Sequence, residues 1–195
     1  MNPVQMQAAR QRQQTPDVTP LDRLMRLRSE ASTWEKLYGA IVAQARLPVF
    51  YRSFGIPDTL QGFALLALHL FAVLYRLKAS AGRALAQELV DRFSQDMETV
   101  LQELGVSDLR VPKPMRGLAA ASEGLFQDYE TALAAGEDSL ARAIAASLPR
   151  EMERAELTSR ALASYLLASI EAFARQDIAP LRAGVPDFAE ASVKP

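Results

Sequence analysis

Residues 54–71 read FGIPDTLQGFALLALHLF, and this stretch decides the fold of the chain. It opens as a turn, because Gly55 and Pro57 break any helix that precedes them. Asp58 or Thr59 is then positioned to cap the helix that follows. The rest of the stretch is an apolar run, which predicts one long helix after one sharp turn.

The apolar run holds His69, the single histidine of the chain. Thirteen uncharged residues lie between Gly62 and Arg76, whereas a membrane-crossing helix needs about twenty, so a central buried helix is the physical default. Four roles are open for His69: a catalytic base, a metal or haem ligand, part of a membrane segment, or a buried polar residue. We expect the last role, with hydroxyl or carbonyl partners for the ring nitrogens, because no second haem ligand or propionate-binding arginine pair is identifiable.

The composition predicts one soluble intracellular domain with tails. A length of 195 residues is enough for one domain with a core, and a net charge of −1 gives no global reason to expect a nucleic-acid partner. The chain has no cysteine, which excludes disulfides, zinc–thiolate sites and thiol nucleophiles and fits a reducing compartment. We expect residues 1–19 to form a disordered tail, residues 20–176 a helical domain, and residues 177–195 a flexible C-terminal tail.

Apolar residues recur at helical spacing throughout the central part of the chain, and no segment shows the alternation of a strand. Ser32-Thr33-Trp34-Glu35 matches a capping box and predicts a helix start there. A later stripe of Leu85, Leu89, Phe93 and Met97 predicts an amphipathic helix. The fold class that follows is all-α, a single orthogonal bundle of about six to eight helices.

Known catalytic motifs are missing from the sequence. There is no phosphate-binding loop, no dinucleotide fingerprint and no nucleophile elbow. A carboxylate-bridged metal site in a helix bundle needs two Glu-x-x-His pairs, which one histidine cannot supply. We therefore expect a protein that is not an enzyme and that carries no metal or cofactor.

Three segments together resemble the ubiquinol–cytochrome c chaperone family. They are LYGAIVAQARLPVFYRSFGIPDT at residues 37–59, LALHLFAVLYRL at residues 66–77 and QDMETVLQELGVSDLRVPK at residues 95–113. The resemblance covers most of residues 34–135, in the order of the family and at roughly its spacing. The chain departs from the family at one place. Family members usually carry an arginine between the glycine and the following phenylalanine, and then an acidic residue. This chain reads Gly62-Phe63-Ala64 and lacks both charged residues.

The resemblance implies an assembly factor. Mitochondrial members of the family help newly made cytochrome b to fold and to enter the ubiquinol–cytochrome c reductase, together with a small partner protein, at the ribosomal tunnel exit and the inner membrane. We expect a bacterial member that is cytoplasmic or peripheral to the cytoplasmic face of the inner membrane. Its candidate partners are cytochrome b or another reductase subunit, a ribosome or membrane surface, and a small partner protein. A helical carrier of haem, quinone or lipid remains the alternative.

A chaperone for a membrane protein needs an apolar surface, and aromatic and methionine side chains are the candidates for it. The residues that we expect to contact a client or partner are Phe50, Tyr51, Phe54, Met97 and Met115. The residues that match the family motif and that we expect to be structural are Tyr38, Gly55, Pro57, Asp58, Thr59, His69, Asp96, Gly105, Asp108 and Lys113.

Overall fold

The structure of the chain is a computed structural model, and it describes residues 20–56, 62–80, 82–103, 118–148 and 152–191. Over these residues it is all-α, which confirms the predicted fold class. The helices, in chain order, are α1 Pro20–Ala45, α2 Pro48–Arg52, α3 Gly62–Lys78, α4 Arg83–Glu103, α5 Leu118–Ala135, α6 Glu137–Ser147, α7 Ala155–Arg175 and α8 Ile178–Arg182. The predicted tail at residues 1–19 lies outside the described residues.

The contacts divide the chain into two units, one that ends at Ser32 and one that begins at Thr33. The hydrophobic core belongs to the second unit. It draws on all of the helices from the later part of α1 to α8, and its largest fully buried side chains include Tyr129, Phe50, Phe93 and Phe173.

Helix α3 is the centre of the bundle, as the length of its apolar run predicts. It packs against α4, α5 and α7, and its side chains are buried on almost every side along residues 64–73. A helix that is apolar all round is stable only where neighbours cover every face. Burial of each Leu or Phe side chain of this helix stabilises the fold by about 1.5–3 kcal/mol.

The predicted helix start at Ser32–Glu35 is wrong. Helix α1 runs without a break from Pro20 to Ala45, so these four residues lie in its interior. A capping box works only where the chain leaves the helical conformation on one side. Neither proline nor glycine occurs between Pro20 and Gly39 to end the preceding turn.

The helix that carries the predicted amphipathic stripe is α4. Leu89 and Phe93 are fully buried and Met97 is nearly so, while Leu85 is half-buried. Between α5 and α6, the sequence predicts that Asp138 or Ser139 caps the following helix, but neither residue caps α6. Its N-cap is Gly136, with φ +107°, and no side chain caps it.

The residues after α7 form a short helix and pack against the core. Asp177 caps α8 by accepting a hydrogen bond from the amide of Ala179, and Leu181 is fully buried. Arg182 donates to the carbonyl of Ser80 at 3.1 Å. Leu181 belongs to the core cluster, and Ile178, Phe188, Ala189 and Ala191 pack against it. The polar residues between them hide this pattern in the sequence.

Candidate functional site

His69 lies in the middle of α3 with no exposed surface. Its Nδ1 is 2.7 Å from the carbonyl oxygen of Leu65, and its Nε2 is 2.9 Å from the hydroxyl of Tyr165 on α7. A carbonyl can only accept, so Nδ1 carries the proton and Nε2 accepts from the hydroxyl. The prediction that His69 is a buried residue with hydroxyl and carbonyl partners is confirmed.

The imidazole of His69 is neutral. Burial lowers its pKa to about 4, and the hydrogen bond to the Leu65 carbonyl opposes that shift only in part. Both ring nitrogens are engaged, so His69 can ligate a metal or haem iron only if a buried hydrogen bond is broken. Among the described residues, no group of three or more His, Cys, Asp or Glu side chains is arranged to hold a metal ion.

Five rings from four parts of the chain meet around His69, and we call this group the aromatic junction. Its members are Phe50 of α2, His69 of α3, Tyr165 and Phe173 of α7, and Phe188 near the C-terminus. The centroid of the His69 ring lies 5.0 Å from that of Phe50 and 5.2 Å from that of Phe188, both edge to face. Phe173 and Phe188 lie 5.0 Å apart. Edge-to-face pairs of this kind add to the stability given by burial.

A chain of hydrogen bonds continues from the aromatic junction in two directions. Tyr165 accepts from Gln44 of α1 at 3.1 Å. Burial raises the pKa of Tyr165 to about 12, although hydrogen bonds with Gln44 and Ser169 lower it. Ser169 is itself buried, and its hydroxyl accepts from the amide of Ala189 at 3.3 Å. The network thus joins α1, α3, α7 and the C-terminal residues.

The turn that follows α2 is attached to α7. The hydroxyl of Thr158 donates to the carbonyl of Phe54 at 2.8 Å, and this bond is buried. Gly55 follows with φ +67°, a conformation that favours glycine. These contacts hold Phe50 and Phe54 inside the protein, with their ring centroids 5.3 Å apart.

Three of the five residues predicted to contact a client are therefore part of the core. Phe50, Phe54 and Met97 are buried, and none of them offers a surface to a partner in this conformation. Tyr51 is half-buried, and its hydroxyl donates to the carbonyl of Ala45 at 3.2 Å. Met115 lies outside the described residues.

The structure brings together Tyr38 and Asp96, two motif residues that are far apart in sequence. Tyr38 of α1 is buried, and burial together with the neighbouring Asp96 carboxylate of α4 raises its pKa above the ordinary value. Asp96 is also paired with Arg92 at 2.8 Å. The motif residues Pro57, Asp58, Thr59, Gly105, Asp108 and Lys113 lie outside the described residues.

Sequence reasoning missed Ser169 and Phe188 as parts of the site. Tyr165, Ser169 and Phe173 recur every four residues on one face of α7, so a helical-wheel reading could have joined them. There was less reason in the sequence to place Phe188 in the site, since its one distinction is that it is the only aromatic residue after Phe173.

An open groove of about 630 Å³ lies between α5 and α6. Alanine side chains, Leu125 and Gly124 form most of its apolar lining, and Asp128 is the one ionisable residue that lines it. In the described part of the chain, no helix combines the length and the apolar character required to cross a bilayer.

Comparison with known proteins agrees with this architecture. The family model described as "Ubiquinol-cytochrome C chaperone" matches residues 52–188. The crystal structure of the Cbp3 homolog from Brucella abortus is similar to the chain, with a TM-score of 0.74 and 31% sequence identity; the match covers 89% of this chain and 98% of that one. A comparison with curated proteins gave no match.

Together with the family model, the all-α bundle and the likeness to a Cbp3 homolog identify a helical chaperone. More narrowly, the chain belongs to the ubiquinol–cytochrome c chaperone family, whose model matches well over half of its length. The resemblance read from the sequence is confirmed.

Proposed function

We propose that this protein is a non-enzymatic chaperone that binds newly made cytochrome b through an apolar helical surface and delivers it to the ubiquinol–cytochrome c reductase. The observation that carries the proposal is the family match over residues 52–188. The likeness to the Cbp3 homolog along nearly all of both chains adds support at the level of the fold.

The structure supports a role in binding rather than in acid–base chemistry at His69. The imidazole is buried, neutral and hydrogen-bonded at both nitrogens. An enzyme usually presents several convergent titratable groups with access to substrate, whereas His69 is closed off by aromatic rings on two sides.

Apolar surface is available outside the core. The α5–α6 groove opens to solvent with a lining of alanines and polar residues, and Tyr75 and Leu157 are large apolar side chains that are 38% and 59% exposed. Such surfaces, rimmed by polar residues, suit an apolar client. We propose that the protein works in the cytoplasm at the face of the inner membrane, where a small partner protein or the ribosome can join it.

Family members usually carry an arginine after the glycine, whereas Phe63 follows Gly62 directly at the start of α3. Phe63 stacks on Phe93 of α4 with their ring centroids 5.3 Å apart. An aromatic contact therefore fixes the first turn of α3 to α4, and we propose that client binding in this protein does not depend on that arginine.

Deletion of the gene tests the proposed function directly. We expect assembled reductase, measured by native gel and by ubiquinol–cytochrome c activity in membranes, to fall several-fold while the cytochrome b transcript stays constant. A plasmid copy of the gene should restore it. Normal reductase levels in the deletion strain, together with crosslinking in cells that yields no reductase subunit, would contradict the proposal.

A further inference from the structure

Residues 185–191, which we call the C-terminal strap, lie across the aromatic junction without forming a helix or a strand. The strap begins with a hydrogen bond from the amide of Val185 to the carbonyl of Pro180 at 2.9 Å. Further along, Phe188 packs against the rings of His69 and Phe173, and the amide of Ala189 donates to the hydroxyl of Ser169. The strap is an irregular segment with one aromatic anchor.

The surface beneath the strap has the features of a peptide-binding cleft. Two rings from two different helices enclose Phe188, and the fully buried Ser169 hydroxyl accepts from a backbone amide. A hydrogen bond to the backbone gives affinity for any extended peptide segment. A pocket for one side chain gives specificity, because only segments with a side chain that fits the pocket bind well. The cleft therefore suits an extended segment with an aromatic side chain.

The cleft is held together by contacts that do not involve the strap. Arg76 of α3 donates from Nε to the carbonyl of Phe173 at 2.7 Å and from a terminal nitrogen to the carbonyl of Gln176 at 3.2 Å. The Tyr165 hydroxyl joins α7 to His69 of α3. These bonds fix α3 and α7 to each other. The residues of α3 and α7 that form the cleft therefore stay in place when the strap moves.

The strap itself is held more weakly than the helices. Val185 is 63% exposed, and the carboxylates of Asp187 and Glu190 face solvent. Segments with irregular backbone and few buried apolar contacts open at lower free energy than the core around them. Phe188 is the main contact that keeps the strap in place.

We propose that the cleft formed by His69, Ser169 and Phe173 binds an extended apolar segment of the client that carries an aromatic side chain, and that the C-terminal strap occupies it until the client arrives. The inference rests on the proposed function and names one contact site within it. The strap is tethered beside the cleft at a high effective concentration, so a client segment must displace it.

A peptide in trans tests the cleft in the full-length protein. The probe is a fluorescein-labelled peptide with the sequence of residues 183–191, AGVPDFAEA, and its matched form has alanine in place of phenylalanine. The Phe188→Ala variant vacates the cleft, and Val185→Ala, at an exposed strap position, is the control. We expect the phenylalanine peptide to bind F188A at least tenfold more tightly than the unmodified protein or V185A, and the alanine peptide to show no such gain. Equal binding to all three proteins would overturn the inference.

A disulfide that closes the strap tests its displacement by client. The chain has no cysteine, so an introduced pair has no competing thiol, and Ser169 and Ala189 are in contact through a 3.3 Å hydrogen bond. The S169C/A189C protein is compared in its oxidised and reduced forms for photocrosslinking to cytochrome b made in cell-free translation. We expect at least fivefold less crosslinking in the oxidised form, with a Tm at least as high as that of the reduced form.

The oxidised and reduced forms of S169C/A189C distinguish a failure of this inference from a failure of the proposed function. Equal crosslinking in the oxidised and reduced forms would show that the cleft beneath the strap is not the client site, and it would leave the proposed function unaffected. No crosslinking of the unmodified protein to cytochrome b, with normal reductase after gene deletion, removes the proposed function itself.

Discussion

His69 shows how the surroundings of one residue determine its role. The same side chain in an open cleft is a candidate base or ligand, yet here the Leu65 carbonyl and the Tyr165 hydroxyl use both of its nitrogens. A buried polar group that is fully hydrogen-bonded specifies how its helix is oriented, because a rotation of α3 breaks the bond between Nε2 and the Tyr165 hydroxyl, although the bond to Leu65 within α3 is kept. We therefore interpret His69 as the residue that fixes α3 against α7.

Replacement of His69 by glutamine should cost stability, and it also removes one of the two rings that enclose Phe188. The amide can keep one of the two hydrogen bonds and leaves the other buried group unpaired, so we expect the free energy of unfolding to fall by about 1–3 kcal/mol. Urea unfolding measures this loss, and assembled reductase in a complemented deletion strain measures the effect on the client. An unchanged free energy of unfolding would contradict the structural role of His69.

The pKa of His69 makes a separate prediction about pH. Its folded-state pKa of about 4 lies below the ordinary value of 6.5, so between these values the unfolded chain binds a proton that the native protein does not. The stability that neutral His69 supports is complete above pH 6.5 and declines as the pH falls to about 4. We expect the difference in unfolding free energy between the unmodified protein and H69Q to shrink by about 2 kcal/mol from pH 8 to pH 5. A difference that is constant over this range would contradict a neutral, buried imidazole.

At the scale of elements, the turn after α8 is fixed by one glycine. Gly184 has φ +82°, and a Cβ added there would lie 2.5 Å from the Cβ of Lys36 on α1. The C-terminal segment can approach α1 this closely only because Gly184 has no side chain. The position of the strap therefore depends on this residue.

Substitution of two glycines by alanine should have opposite effects. Gly184→Ala forces a left-handed conformation and a clash, so we expect the free energy of unfolding to fall by about 1–3 kcal/mol or more. Gly39→Ala is the matched control, because Gly39 is exposed in α1 and an added Cβ meets nothing within 4 Å. That variant should gain about 0.5–1 kcal/mol. Urea unfolding of both variants tests the pair, and a neutral G184A would argue against the close approach of the turn to α1.

The elements that the sequence predicts well are those with a regular apolar stripe. Leu89 and Phe93 are buried as their spacing predicts, since periodicity reports directly on the face that a helix presents to the core. The burial of His69 was predicted from the uncharged run around it. Such patterns are local, and one helix is enough to show them.

Other parts of the fold depend on contacts between distant residues, which a local pattern does not contain. The Ser32–Glu35 motif has the composition of a cap, but the preceding residues continue the helix. Phe50 and Phe54 follow a proline in what reads as a connector, and only the contacts with α3 and α7 show that they are core. Phe188 became part of the site through His69 and Phe173, which are 119 and 15 positions away along the chain.

At the scale of the whole molecule, stability rests on burial rather than on charge. The ion pairs of the described residues, such as Lys78 with Glu130 and Arg160 with Glu156, lie at the surface, where each contributes little. The core, in contrast, forms one cluster from Leu37 of α1 to Leu181 of α8. A chaperone whose own core is continuous can offer apolar surface to a client without losing its fold.

A continuous core predicts that the second unit unfolds as one. Trp34 is the only tryptophan of the chain; it is half-buried and packs against the core cluster from α1. Its fluorescence therefore reports on α1, while circular dichroism at 222 nm reports on all helices together, and most of the helical residues lie in α3 to α7. We expect the two signals to give the same urea midpoint and the same dependence on urea concentration, as a two-state transition requires. Gly39→Ala should move both midpoints together. If the Trp34 signal changes at lower urea than the dichroism, α1 leaves the core before the rest unfolds, because its contacts through Leu37 and Ile41 are then not part of the cooperative unit.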